Sequence, residues 1–246
     1  MACVVCALAL VSNCIGQSNP AVIASSASVT TEDQLHEWLT YYYLHPRPDL
    51  TISAIRLMSE KGWLSKANPQ SPLAAFLAQV FASNSDKTKA WLTELQSGTE
   101  DQKIMAALVL WMAHTSDSQP LLESVATKGS PSYQDYVRGL LRDDHPPDFL
   151  KDTISSAGFL DALWGSFFAT GDERYVQRLI SVLPMLDTKD DVTKMLIGGA
   201  ARVSLTSNAV QHLRVMEICE TELKKLPNDQ KPALQEVIKT AREKKP

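Results

Sequence analysis

Two stretches of the sequence hold residue types that could carry chemistry, and the first is an acidic cluster with a histidine. Asp143, Asp144 and His145 are consecutive and precede Pro146 and Pro147. Carboxylates and imidazole are ligands for a divalent cation, and a bound cation could activate water in a hydrolase or another metal-dependent enzyme. A single short loop supplies only part of a ligand set, and a solvated loop is the commoner outcome. We therefore predict no metal ion and no cofactor, and an enzyme built around Asp143, Asp144 and His145 is the alternative function.

The second stretch is a cluster of aromatic residues beside an arginine. Four rings fall within six positions, at Trp38, Tyr41, Tyr42 and Tyr43. Three consecutive helical residues fan across about 200°, so one buried stripe cannot hold all three tyrosines. Aromatic residues and arginine are enriched at binding hot spots. We predict a partner-binding surface made of Tyr41, Tyr42, Tyr43 and Arg47. The alternative is that neighbouring helices or the N-terminal segment cover the rings.

The sequence contains none of the common catalytic motifs. There is no nucleophile elbow, zinc-binding helix, dinucleotide-binding loop, phosphate-binding loop or EF-hand loop. The histidines, which never lie four residues apart, are His36, His45, His114, His145 and His212. Cys219 lies on a helix that we predict over 208–226, with no general base close to it in sequence. These observations favour a non-enzymatic protein that binds a protein or peptide partner.

Composition and charge exclude several classes of protein. The chain has 246 residues, of which 44% are hydrophobic, as in an ordinary globular protein. Its 24 Lys and Arg against 28 Asp and Glu give a net charge of −4. Nucleic-acid binding requires a clear basic excess, so we predict no nucleic-acid partner.

Residues 1–31 differ in composition from the rest of the chain, because they contain no Asp, Glu, Lys, Arg or His. Within them, 4–12 form an apolar run that is too short to span a membrane as a helix, which needs about 20 residues. Its length suits the apolar region of an export signal. The usual basic residue before such a region is absent from Met1-Ala2-Cys3. We predict an export signal and tether over 1–31; the alternative is a buried or disordered tail of a cytoplasmic protein.

Cysteine placement refines the predicted destination. Val11-Ser12-Asn13-Cys14 is similar to the lipobox of bacterial lipoproteins, in which the cysteine becomes lipid-modified, although Asn13 stands where Gly or Ala is usual. Cys14 is therefore a lipidation candidate, and simple cleavage near Gly16 is the alternative. We predict an exported protein, either periplasmic or anchored to a membrane as a lipoprotein.

Residues 32–246 carry the apolar periodicity of one all-helical domain. Residues spaced by three, four and seven form apolar stripes in four separate segments, at 73–81, 160–168, 176–183 and 234–241. The segment from Ile104 to Ala113 is apolar nearly all round, which predicts a central helix. Thr99 with Gln102 predicts a capping box at its start, and Ser71 with Pro72 predicts another helix start.

Glycine and proline divide this domain into segments of helical length, and strand signals are scarce. We predict an all-α fold of about ten to twelve short antiparallel helices, arranged as a solenoid-like array of hairpins. The alternative is an irregular helical bundle. Gly171 with Asp172 predicts a hairpin corner, and Gly198-Gly199 inside a helix predicts the close approach of a neighbouring helix.

Three stretches resemble an uncharacterised family of bacterial all-helical proteins. They are 160–183, 198–208 with Gln211-His212, and Tyr41-Tyr-Tyr-Leu-His-Pro46. The resemblance implies a bacterial origin and an all-α fold, and it implies no activity. Together with the N-terminal segment, it leads us to expect a helical scaffold or binding protein of the bacterial cell envelope.

Overall fold

The computed structural model describes residues 27–66, 68–188 and 190–244, and within them it contains twelve α-helices and no β-strand. Of the predicted export signal and tether over 1–31, residues 1–26, which include the lipidation candidate Cys14, lie outside these residues. The helices are α1 (Glu32–Tyr41), α2 (Thr51–Glu60), α3 (Pro72–Ala82), α4 (Ser85–Gln96), α5 (Glu100–Ala113), α6 (Ser118–Val125), α7 (Pro131–Arg142), α8 (Ala157–Thr170), α9 (Glu173–Ser181), α10 (Val192–Gln211), α11 (Leu213–Lys225) and α12 (Lys231–Lys244). The prediction of an all-α fold is confirmed.

Local capping signals in the sequence explain where several helices begin. Thr99 accepts a hydrogen bond from the backbone N–H of Gln102, whose side chain accepts one from Thr99, which confirms the capping box at α5. Helix α3 begins with Pro72 at its first position. Gly171 adopts a left-handed conformation, with φ of 69°, and Asp172 caps α9, so the predicted hairpin corner between α8 and α9 is confirmed.

Helices α3, α5 and α8 form the centre of the core. Every residue of α5 from Met105 to Met112 is buried, as its all-round apolar sequence predicted. The most extensive helix pair among the described residues is α3 with α8. Gly165 of α8 makes this contact possible, because a Cβ there would lie 2.1 Å from the carbonyl oxygen of Pro72. Any larger residue would push the two helices apart.

The pairing of helices combines neighbouring and distant contacts. Helix α3 packs on α5, α5 on α7, and α10 on α12, as in a stack of hairpins. The α3–α8 contact joins helices that are far apart in sequence, whereas the units of an ideal solenoid contact only their neighbours. A contact of this kind is typical of an irregular bundle. The solenoid-like arrangement stays a prediction. No described helix is both long and apolar enough to span a membrane.

The glycine pair in α10 lies where the chain approaches most closely. A Cβ on Gly198 would be 2.3 Å from the backbone nitrogen of Leu186, which belongs to the short 3-10 turn Leu183–Asp187. The predicted close approach is confirmed, but a 3-10 turn makes it and not a helix. The start of the helix predicted over 208–226 is wrong, because His212 separates α10 from α11; Cys219 lies on α11.

Candidate functional site

His212 is the single residue between α10 and α11, and its backbone is extended, with φ of −119° and ψ of 110°. Its N–H donates to the carbonyl of Asn208, and its own carbonyl accepts from the N–H of Val215. The residue therefore ends one helix and begins the next. This sharp corner directs the imidazole into the protein, where only 2% of the residue is exposed.

Three aromatic rings surround the His212 imidazole. The ring centre of Phe168 on α8 lies 5.0 Å from that of His212, and those of Tyr41 and Tyr43 lie at 5.6 and 5.8 Å. Tyr41 ends α1, and Tyr43 occupies the turn that follows. The Tyr43 hydroxyl lies 3.2 Å from Nδ1 of His212, within hydrogen-bonding distance. We call Tyr41, Tyr43, Phe168 and His212 the ring cluster.

Burial favours the uncharged forms of His212 and Tyr43. It lowers the pKa of His212 to about 4 and raises the pKa of Tyr43 to about 12, so the imidazole is neutral and the phenol protonated. When Tyr43 donates to Nδ1, the proton of the neutral ring lies on Nε2. Nε2 is buried and has no hydrogen-bond partner within the described part of the chain. An unpaired buried polar atom costs about 1–3 kcal/mol, so this position favours a ligand that pairs with it.

His212 lines two pockets. The first is an open groove of about 660 Å³, within the size range of ligand sites. We call it the tyrosine groove; its walls are Tyr41, Tyr43, Leu44, Thr170, Gly171, Gln211, His212, Leu213, Arg214 and Glu217. The second is a smaller, partly open pocket of about 30 Å³ between α1, α3, α8 and α10, large enough for a water molecule or a small polar group of a ligand.

The rim of the tyrosine groove is both apolar and charged. Leu44 and Leu213 are exposed on it, and Leu213 retains 64% of its accessible surface. Arg214 pairs with Glu173 at 2.9 Å and with Glu217 at 3.5 Å. These ion pairs are exposed, so they contribute little to stability and can exchange partners. The groove thus offers apolar contact beside a cation and two carboxylates.

Of the four residues predicted to bind a partner, the structure brings only Tyr41 and Tyr43 to this groove. Tyr42 is 4% exposed and packs edge-on against Trp38 and Phe76 in the core. Its neighbours on the helix end point elsewhere because consecutive residues are about 100° apart. Arg47 does not line the groove; its guanidinium lies 2.6 Å from Asp49. The structure therefore agrees, for Tyr42, with the alternative given above, in which neighbouring helices cover the ring.

The acidic cluster is separate from the tyrosine groove. Asp143, Asp144 and His145 follow α7, and each offers a ligand atom within 4.8 Å of the others. All three residues are exposed, and His145 Nδ1 pairs with Asp144 at 2.5 Å. Asp143, Asp144 and His145 therefore lie on a loop that is open to solvent.

His212 is not among the site residues that the sequence predicts. No Gly or Pro marks the helix break at this position, and a lone histidine in an apolar segment carries little information.

The chain matches no family model, no curated protein and no solved structure.

Proposed function

We propose that this protein is a non-enzymatic binding protein that captures a peptide or an extended segment of a protein in the tyrosine groove. The observation that carries the proposal is the buried Nε2 of His212, which lacks a partner while its ring forms a wall of an open groove. A bound ligand would pair with this atom and remove the cost of leaving it unsatisfied.

The walls of the groove define the ligand by its chemistry. Leu213 and Leu44 are exposed apolar contacts for an aliphatic or aromatic side chain. The neutral imidazole of His212 suits an uncharged hydrogen-bonding group, such as a peptide carbonyl, better than a carboxylate or an ammonium group. Apolar side chains beside backbone carbonyls are a general feature of peptides. Arg214, Glu173 and Glu217 would contact charged residues that flank the captured side chain.

Tyr43 is the part of the wall that would move to admit the ligand. It occupies a turn and not a helix, and its ring lies against Gly171, where a Cβ would be 3.4 Å from the tyrosine ring. Glycine leaves space beside the ring at this corner. A small displacement of the phenol that keeps its hydrogen bond to Nδ1 of His212 would open the imidazole to the groove, with the proton on Nε2.

The experiment is a selection of displayed random peptides on the immobilised full chain, followed by calorimetry with the enriched peptides in solution. We expect enriched sequences with an aromatic or aliphatic residue, and a Kd at least tenfold weaker for Leu213→Glu. The matched control is Leu196→Glu, because Leu196 is 63% exposed on α10, away from the groove. This control should bind the peptides as the unchanged chain does.

Two results would contradict the proposed function. One is a selection that enriches no peptide above the background of the matrix. The other is a set of peptides that bind the Leu213→Glu and Leu196→Glu variants equally well, because their site would then lie outside the tyrosine groove.

We propose that the protein works in the bacterial cell envelope, exported and anchored through Cys14. The support is the uncharged segment 1–31 with its apolar run and lipobox-like residues. Expression in a bacterial host with labelled palmitate tests this. Label should appear on the chain and be lost from Cys14→Ser, while the helical circular dichroism signal is retained. Label on the variant, or an unprocessed cytoplasmic product, would refute the anchoring.

A further inference from the structure

Helix α10 carries an apolar stripe that no described residue covers. The large apolar residues that are exposed in the described part of the chain fall in two places: Leu44 and Leu213 at the tyrosine groove, and Val192, Met195, Leu196 and Val203 on α10. Spacings of three, four and seven residues along a helix place side chains on one face. These four residues therefore form one stripe, which we call the α10 stripe.

The α10 stripe continues onto the neighbouring 3-10 turn. Gly199 lies on the same face, and the Cδ1 atom of Leu186 is 3.7 Å from the place where a Cβ of Gly199 would be. Leu186 is itself partly exposed. From Val192 to Val203 the stripe extends about 16 Å along the helix, at about 1.5 Å per residue. Exposed apolar patches of this kind mark interaction sites.

We propose that the α10 stripe binds the same stripe of a second copy of this chain, with the two helices antiparallel about a two-fold axis. A two-fold interface joins one patch to itself, so every residue of the stripe meets a residue of the same stripe. In this arrangement, Val192 of one copy lies near Val203 of the other, and the central Leu196 and Gly199 lie near the axis. The inference is independent of the proposed peptide binding, because the two surfaces share no residue.

The charges at the ends of the stripe select the antiparallel arrangement. Between 187 and 194 the chain has three aspartates and two lysines, a net charge of −1, whereas Arg202 is the charged residue near the other end. Arg202 and Asp190 are exposed. No ion pair of Arg202 is present among the residues that the structure describes. Antiparallel helices place Arg202 of each copy near the acidic end of the other, and parallel helices would place like charges together.

The size of the stripe sets the expected strength of the dimer. One helix pair buries less area than a standard protein interface of about 1,600 Å², so we expect a dissociation constant in the micromolar range. The protein would then change from monomer to dimer with concentration. A membrane surface could also accept an apolar stripe, and the experiment distinguishes it from a second copy.

The test is sedimentation equilibrium of the full chain over a concentration series up to about 200 μM. We expect the mass to rise from 27.1 kDa towards twice that value. Leu196→Glu should stay monomeric and keep its thermal stability, because this side chain is largely exposed in the single chain. Leu213→Glu, with a similar exposed fraction, is the matched control and should associate like the unchanged chain.

A charge reversal tests the orientation of the two helices. Arg202→Glu should weaken the dimer about fivefold, because it places like charges together at two symmetry-related positions. Asp190→Lys combined with Arg202→Glu should restore the original affinity. Restoration supports the antiparallel pair, and an additive loss in the double variant contradicts it.

Other outcomes would overturn the proposal. They are a monomeric mass at the highest concentration, or a dimer that Leu196→Glu leaves intact. Binding of the monomer to anionic phospholipid vesicles, lost in Leu196→Glu, would assign the stripe to a membrane surface instead.

Discussion

The hydroxyl of Tyr43 lies 3.2 Å from Nδ1 of His212, and 169 residues separate the two in the sequence. The contact joins the turn after the first helix to the corner between α10 and α11. It places a phenol and a neutral imidazole side by side at a groove whose walls come from three parts of the chain, 41–44, 170–171 and 211–217. The candidate site is therefore assembled by the whole fold and not by a local segment.

Tyr43→Phe keeps the ring and removes the hydroxyl, so Nδ1 of the buried histidine loses its partner. We expect the free energy of unfolding to fall by about 1–2 kcal/mol, measured by urea denaturation at pH 7.5. Tyr41→Phe is the control, since Tyr41 contacts the His212 ring but the structure describes no hydrogen bond from its hydroxyl. Equal losses in both variants would mean that the Tyr43 hydrogen bond contributes no stability.

His212 makes stability depend on pH. Burial lowers its pKa from 6.5 to about 4, so between these values the unfolded chain binds a proton that the folded chain does not. Stability attributable to His212 is therefore complete above pH 6.5 and is lost as the pH falls towards 4, by about 2 kcal/mol between pH 7 and pH 5.

His212→Gln tests this assignment, because glutamine does not titrate. The difference in unfolding free energy between the variant and the unchanged chain should shift by about 2 kcal/mol from pH 7 to pH 5, in favour of the variant. Carboxylates titrate in both proteins, so their contribution cancels. Parallel pH profiles would show that the imidazole takes up its proton without unfolding.

The two adjacent glycines of α10 should respond oppositely to alanine. A Cβ on Gly198 would overlap the backbone nitrogen of Leu186 at 2.3 Å, whereas one on Gly199 would meet only the Cδ1 atom of Leu186 at an ordinary 3.7 Å. We expect Gly198→Ala to destabilise the protein by about 2 kcal/mol or more. Gly199→Ala should stabilise it by up to about 1 kcal/mol through helix propensity. Thermal unfolding of the two variants tests both expectations. A Gly198→Ala variant as stable as Gly199→Ala would contradict the close approach.

Tyr42 and Arg47 belong to different parts of the protein despite their closeness in sequence. Tyr42→Ala should cost about 3–4 kcal/mol, because the ring is buried against Trp38 and Phe76. Arg47→Ala should cost less than about 1 kcal/mol, because it removes one partly exposed ion pair with Asp49. Denaturant titration separates the two effects. A mild effect of Tyr42→Ala would restore Tyr42 to the candidate binding surface.

Features that depend on neighbouring residues were predictable from the sequence. Capping of α5 by Thr99, the left-handed end of α8 at Gly171 and the all-round burial of α5 each follow from residues within a few positions of one another. For the same reason, the sequence indicated that one buried stripe cannot hold Tyr41, Tyr42 and Tyr43 together, but not which of the three rings is buried. Local hydrogen bonds and helical periodicity act over a turn or two, so a linear sequence records them.

What surrounds each side chain was decided only by the tertiary structure. The sequence around His212 has no helix-breaking residue, yet α10 ends and α11 begins there, and both helices pack on α9, on α12 and on each other. The same long-range packing buries Tyr42, leaves the α10 stripe exposed and moves the candidate site from Arg47 to His212. Contacts between residues far apart in the chain depend on the relative positions of whole helices, and no local pattern encodes those positions.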